Sequence, residues 1–212
     1  MSSSRAKLSP DGDFLVVTGI HPPQARCATS CKKSGSFRGP QVKVYELGQL
    51  ALKFERHLLS EVVDFQVLTD DYSKLVFACV DRSLVFHARY GAHFTARLPR
   101  VPRSVAFDTA SASLVAAGSG AQLFRLSLEL GRFLQPFASA SPGVNLVRVC
   151  PVHGLVAAGG EDGAVECFDL RMRFASSCLH TDDRRDIGVT ALRFDNTGMT
   201  VRGSFGNHGV SV

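Results

Sequence analysis

Short apolar runs separated by polar turns recur along the chain, and the pattern is clearest in "LVAAGGEDGAVECFDLR", Leu155 to Arg171. Two apolar runs there flank a polar stretch containing Gly159, Gly160, Glu161, Asp162 and Gly163. A phosphate-cradling loop at this place would need glycines that follow a strand and open a helix, with a Lys-Ser or Lys-Thr pair or a G-x-G-x-x-G spacing. Neither is present, and "AVECFDL" after Gly163 is too short for a helix and rich in β-branched and aromatic residues. The segment predicts two strands closed by a primed hairpin turn at Asp162-Gly163, a pair favoured where both central residues take positive φ.

The same unit recurs. A polar turn, an apolar strand, a second turn and a second apolar strand appear as "LTDDYSKLVFACVDRSLVFHARYG" from Leu68, "DTASASLVAAGSGAQLFRLSLELG" from Asp108 and "CPVHGLVAAGGEDGAVECFDLR" from Cys150. The pattern begins again as "DNTGMTVRGSFGNHGVSV" from Asp195. Turns near Asp70, Ala110, His153 and Thr197 lie about 40, 43 and 44 residues apart, the period of a four-stranded propeller blade. Each unit also has room for flanking strands such as "VVDFQVL" before and "HFTARLP" after. The expected fold is all-β, a WD40-like β-propeller with about four to five blades present.

The first unit fits only with a correction. "SPDGDFLVVTGI" opens a blade and "QVKVYEL", Gln41 to Leu47, has the alternation of its third strand, but about twenty residues lie where a short turn belongs. The segment Ala25 to Gln41 is basic and rich in glycine and serine; removing it restores a period of about 42. It reads as a loop insertion within a single partial propeller domain spanning residues 1–212.

Composition narrows the function. With 45% hydrophobic residues the chain can bury a substantial core, and no apolar run approaches the length of a membrane helix. "MSSSRAKLSPDG" has no apolar stretch of the kind a secretory signal uses. Of six cysteines, Cys79, Cys150 and Cys167 fall in predicted apolar strands and read as buried thiols of a reducing compartment. Cys27 and Cys31 have a zinc-like spacing without a second pair of ligands, so no metal or cofactor is expected. The net charge of +5 is mostly scattered as on a solvated surface. The exception is "ARLPRVPRS", where Arg97, Arg100 and Arg103 alternate with prolines between two units and read as an extended loop facing RNA phosphates or an acidic partner. "DDRRD", Asp182 to Asp186, neutralises itself.

Catalysis has no foothold in the motifs. There is no G-x-S-x-G elbow or H-E-x-x-H helix, the seven histidines are dispersed, and "AAGSGA", Ala116 to Ala121, takes the same turn reading as "AAGGEDG". A non-enzymatic binding scaffold without a small-molecule substrate is the expectation.

"FDLR", Phe168 to Arg171, is similar to the W-D-x-R ending of WD40 repeats, with phenylalanine for tryptophan; the other units end "VYEL", "VFHA" and "LFRL". "LALKFERHLLSEVVDFQVLTDDYSKLVF" (Leu50 to Phe77), "LELGRFL" (Leu128 to Leu134) and "VHGLVAAGGEDGAVECFDLR" together resemble the nucleolar protein 10 family of small-subunit processome proteins, from Leu8 onward apart from Ala25 to Gln41 and a weak stretch from Phe174 to Asp186. The resemblance implies a nucleolar scaffold of ribosome biogenesis. It would support 18S pre-rRNA processing and assembly of the 40S precursor through other processome proteins and pre-rRNA, with no membrane partner. Against the family's pattern the chain would lack strands before "LSPDG", carry the insertion, and stop at Val212 short of further blades and a charged C-terminal extension. Three full units with partial ones at each end would leave open sheet edges and an aggregation-prone chain. The rival readings are a WD40 substrate adaptor of a ubiquitin ligase and a phosphoinositide-binding propeller, the latter resting on "SFRG", Ser36 to Gly39, with its single arginine.

Overall fold

A computed structural model of the chain describes residues 2–8, 12–20, 40–49, 51–69, 73–88, 90–172, 175–179, 187–205 and 208–211. Most of the inserted segment, Cys27, Cys31, "SFRG" and "DDRRD" lie outside them; Gln41, the last inserted residue, is buried in a strand and opposite Gly19. The described residues form strands and turns and no helix.

The chain divides into two compact units, Met1–Val63 with Cys79–Asp81, and Asp64–Ala78 with Arg82–Val212. In the first, strands β1 (Ser2–Leu8), β2 (Phe14–Ile20), β3 (Pro40–Glu46) and β4 (Ala51–His57) make one antiparallel sheet in chain order. β1 corrects the expectation that strands before "LSPDG" are missing. "SSSRAKL" carries no apolar alternation; its backbone simply pairs with β2, from Ser2 opposite Ile20 to Leu8 opposite Leu15.

Three more four-stranded sheets and a three-stranded one follow. Their strands are β5 (Val62–Val67), β6 (Leu75–Cys79), β7 (Ser83–Ala88) and β8 (Gly91–Arg97); β9 (Pro102–Asp108), β10 (Ser113–Gly118), β11 (Gln122–Ser127) and β12 (Arg132–Ala138). Then come β13 (Val144–Val149), β14 (Leu155–Gly160), β15 (Val165–Asp169) and β16 (Ala175–Leu179), and finally β17 (Val189–Phe194), β18 (Val201–Phe205) and β19 (His208–Ser211). Consecutive antiparallel four-stranded sheets are propeller blades. Four complete blades and a three-stranded one are described, in place of three full units with partial ends.

Within the second unit, neighbouring sheets bury their second strands against one another. β6 and β10 are buried along their whole length, and β10 meets the second sheet through Leu114 and Ala116 and the fourth through Val115 and Ala117, which explains an unbroken run such as "SLVAAG" where a half-exposed strand would alternate. One core cluster joins Val76, Ala78 and Leu84 to Val105, Leu114 and Leu126; a second joins Val115, Leu123 and Phe137 to Val147, Val156 and Phe168. A third seats Val189, Leu192 and Phe205 on Leu146 and Ala157.

Turn chemistry repeats with the blades. The turn between the first two strands of a blade has a residue of positive φ at Gly12, Ala112, Gly154 and Gly198; the turn between the middle two has one at Arg82, Gly120 and Gly163. Arg82 (φ 70°) and Ala112 (φ 45°) hold without glycine a conformation that costs an L-residue about 1–2 kcal/mol. The β14–β15 hairpin forms as expected, but its turn is not a two-residue primed one. Glu161 to Ala164 bridge the strands, Gly160 N–H donates to Ala164 O at 2.8 Å, and of the Asp-Gly pair only Gly163 has positive φ (81°). Asp162 Oδ1 accepts instead from Ala164 N–H at 3.1 Å, a side-chain bond that shapes the loop without a left-handed aspartate. Gly163→Val is expected to lower stability by about 1–2 kcal/mol, read from the urea midpoint; a wild-type midpoint would remove the positive-φ requirement.

Candidate functional site

The arginine segment is held at one end of the blades. Leu98 N–H donates to Arg82 O at 2.7 Å, which ties the connection between β8 and β9 to the β6–β7 turn. Ser119 N–H donates to Val101 O at 3.2 Å, which ties the same connection to the β10–β11 turn. Gly118 makes the second approach feasible, since a Cβ there would stand 2.0 Å from Val101 O. Leu98 and Pro102 are buried while Pro99, Arg100 and Val101 are exposed, so the two ends anchor the segment and its middle is presented.

The three predicted arginines do not share one environment. Arg97 is the exposed last residue of β8 and Arg100 the exposed middle of the connection; neither side chain has a hydrogen bond or ion pair to a described residue. Arg103 lies inside β9 and not in an extended loop. Its Nη1 donates to Asn145 Oδ1 at 2.7 Å and makes a short contact with Glu161 Oε1, joining the third sheet to the fourth. Both side chains of that pair are more than a third exposed, so its contribution to stability is about 0–1 kcal/mol. The pair still matters for charge, because Arg103 neutralises Glu161. Arg82 was not singled out by the sequence. The signal that could have found it is the alignment of "VDRS" with "EDGA", which sets an arginine on the glycine position of the turn.

The other residues considered for chemistry have structural roles. Among the described residues no three His, Cys, Asp or Glu are grouped to hold a metal ion. Cys79 and Cys150 are buried, Cys167 is half-buried, none of the three forms a disulfide, and His153 is exposed in its turn. In "FDLR", Arg171 Nε and Nη2 donate to the two carboxylate oxygens of Asp169 at 3.0 and 2.9 Å, which holds that carboxyl below its ordinary range. An open apolar cleft of about 690 Å³ lies at the opposite end of the same strands, between Phe86 and Phe94 of the second sheet and Leu126 and Leu128 of the third.

Sheets in chain order, glycine-marked turns and loops gathered at the strand ends define a β-propeller domain. The chain belongs to the nucleolar protein 10-like family, whose N-terminal β-propeller domain matches residues 1–209. It is similar to ribosome biogenesis protein ENP2 of Saccharomyces cerevisiae, 38% identical over 202 residues, which covers 94% of this chain and 26% of that protein. It is 36% identical over 210 residues to nucleolar protein 10 of Danio rerio, with 94% and 27% of the two chains covered. To human nucleolar protein 10 it is 38% identical over 167 residues, 79% of this chain and 22% of that one. The chain thus spans about a quarter of the length of these curated relatives. Family membership places the protein in the nucleolus of the nucleus.

Proposed function

We propose that this propeller is a WD-repeat scaffold of ribosome biogenesis that supports 18S pre-rRNA processing and assembly of the small-subunit precursor. The observation that carries the reading is the match of almost the whole chain to one nucleolar propeller family, two of whose relatives are named ribosome biogenesis proteins. The scaffold acts by binding, through its loop-bearing faces, other proteins of the small-subunit processome and pre-rRNA, and it carries out no reaction of its own. Arg97 and Arg100, with guanidinium groups free to meet phosphates, are the pre-rRNA-facing members of the predicted trio; Arg103 is a positioning residue that keeps Glu161 neutralised.

Depleting the protein from cells tests the reading. Unprocessed small-subunit rRNA precursors should accumulate on northern blots while large-subunit precursors mature nearly normally. Normal 18S maturation after complete depletion would overturn it, and affinity purification yielding ubiquitin-ligase subunits in place of processome proteins would replace it with the adaptor reading.

A further inference from the structure

We infer that Arg82, Arg97 and Arg100 form one phosphate-binding surface for single-stranded RNA, in which Arg82 is held by a strained turn. The inference deepens the reading above and rests on it for the identity of the RNA, though not for the chemistry.

The turn geometry comes first. Arg82 has a φ of 70° at the place where the next two blades use Gly120 and Gly163. Asparagine or aspartate in such a conformation can recover part of the strain through short side-chain bonds to the local backbone, which the long arginine side chain does not make. Its nearest polar partner is across the loop, Nη1 standing 3.5 Å from Pro99 O, at the outer limit of a hydrogen bond. A residue kept in an unfavourable conformation without a local return points to a use for its side chain.

Placement comes second. Arg82 O accepts the Leu98 N–H, Ser83 is opposite Arg97 in the β7–β8 register, and the Arg100 Nε lies 4.0 Å from the Cβ position of Gly120. The three arginines therefore follow one line of turns across the second and third sheets. All three are exposed and none is paired with a described carboxylate. Glu161, the acid of the adjoining turn, is occupied by Arg103. Val80, Pro99 and Val101 are the exposed apolar residues of the β6–β7 turn and the β8–β9 connection, three small side chains without an aromatic anchor, too little for the apolar centre of a protein interface. A row of guanidinium groups without such a centre suits a phosphate backbone.

The test is binding of the chain to a short mixed-sequence single-stranded RNA, followed by fluorescence anisotropy across a series of potassium chloride concentrations. Each phosphate contact contributes about 0.7 to the slope of log affinity against log salt, so Arg82→Gln, Arg97→Gln and Arg100→Gln combined should reduce the slope by about 2 and the affinity at least tenfold. Arg82→Gly should raise the thermal midpoint, because glycine relieves the turn, and at the same time weaken RNA binding; Arg82→Gln reports the binding loss without that gain. Arg132→Gln, at an exposed arginine that opens β12 outside this surface, should leave the salt slope unchanged. RNA affinity unaffected by Arg82→Gly and Arg82→Gln would overturn the proposal, as would a wild-type chain that binds polyglutamate through these arginines but not RNA. RNA binding with the expected slopes in a protein whose depletion spares 18S maturation would keep the surface and remove the processome role.

Discussion

Phe168→Ala should cost about 3–5 kcal/mol of folding stability. Phe168 is fully buried in β15 and its ring stacks on Phe137 at 5.1 Å with 29° between the planes. Val156 and Leu170 belong to the same core cluster. The Arg125 guanidinium lies over the Phe137 ring, 4.5 Å from its centroid, and its Nη2 donates to Leu170 O at 2.7 Å. Burial pushes the Arg125 guanidinium below its ordinary value, so that cation depends on the aromatic face and the carbonyl for stabilisation. Removing the Phe168 ring opens a cavity next to this stack, and a well-packed interior fills such space only in part. Urea unfolding should show the midpoint falling with little change in slope. A loss below about 1 kcal/mol would mean that the ring is not a packing centre. Phe168→Trp restores the residue typical of the repeat ending, yet it should also destabilise, by about 1–3 kcal/mol, because this core has closed around the smaller ring.

Much of the architecture could be read from the chain because its periods reinforce one another. "LVFAC", "SLVAAG" and "LVAAGG" recur at blade spacing, and each became the buried second strand of a sheet. The flanking strands were visible for the same reason, with "VVDFQV" and "GAHFTAR" forming β5 and β8. β1 was missed since its residues Ser2 to Leu8 carry no apolar signal and the strand is specified by backbone pairing with β2. The β14–β15 turn was read as a hairpin from Asp162-Gly163, but its type depended on a side-chain bond that composition does not reveal. At the candidate site, charge and proline spacing identified Arg97 and Arg100. The fate of Arg103 was hidden because Glu161, its partner, is 58 residues away and meets it only when one blade packs on the next. Arg82 was hidden in the other direction, since its significance lies in a backbone angle.

Asp64→Ala should cost about 2–4 kcal/mol, because Asp64 is the buried polar link between the inner strands of two neighbouring blades. The residue is 2% exposed in β5, where an apolar side chain would be expected from burial alone. Its Oδ2 accepts from Val105 N–H at 3.0 Å and from Ser104 Oγ at 3.1 Å, both on β9, while Oδ1 accepts from Phe65 N–H at 2.9 Å. The network continues one blade further, since Arg148 Nη1 on β13 donates to Ser104 Oγ at 3.2 Å. Alanine would leave the Val105 amide and the Ser104 hydroxyl without their acceptor in a site that water does not readily enter, and an unmatched buried donor costs more than a hydrogen bond contributes. Asp64→Asn keeps one carbonyl acceptor at the same place and should cost about 1 kcal/mol less than alanine. Ser104→Ala breaks the same chain of bonds, so its loss and that of Asp64→Ala should fall short of additivity by about 0.5–2 kcal/mol in a double-mutant cycle. Additive losses would show that Asp64 and Ser104 act separately, and an unchanged midpoint for Asp64→Ala would remove the link between blades altogether.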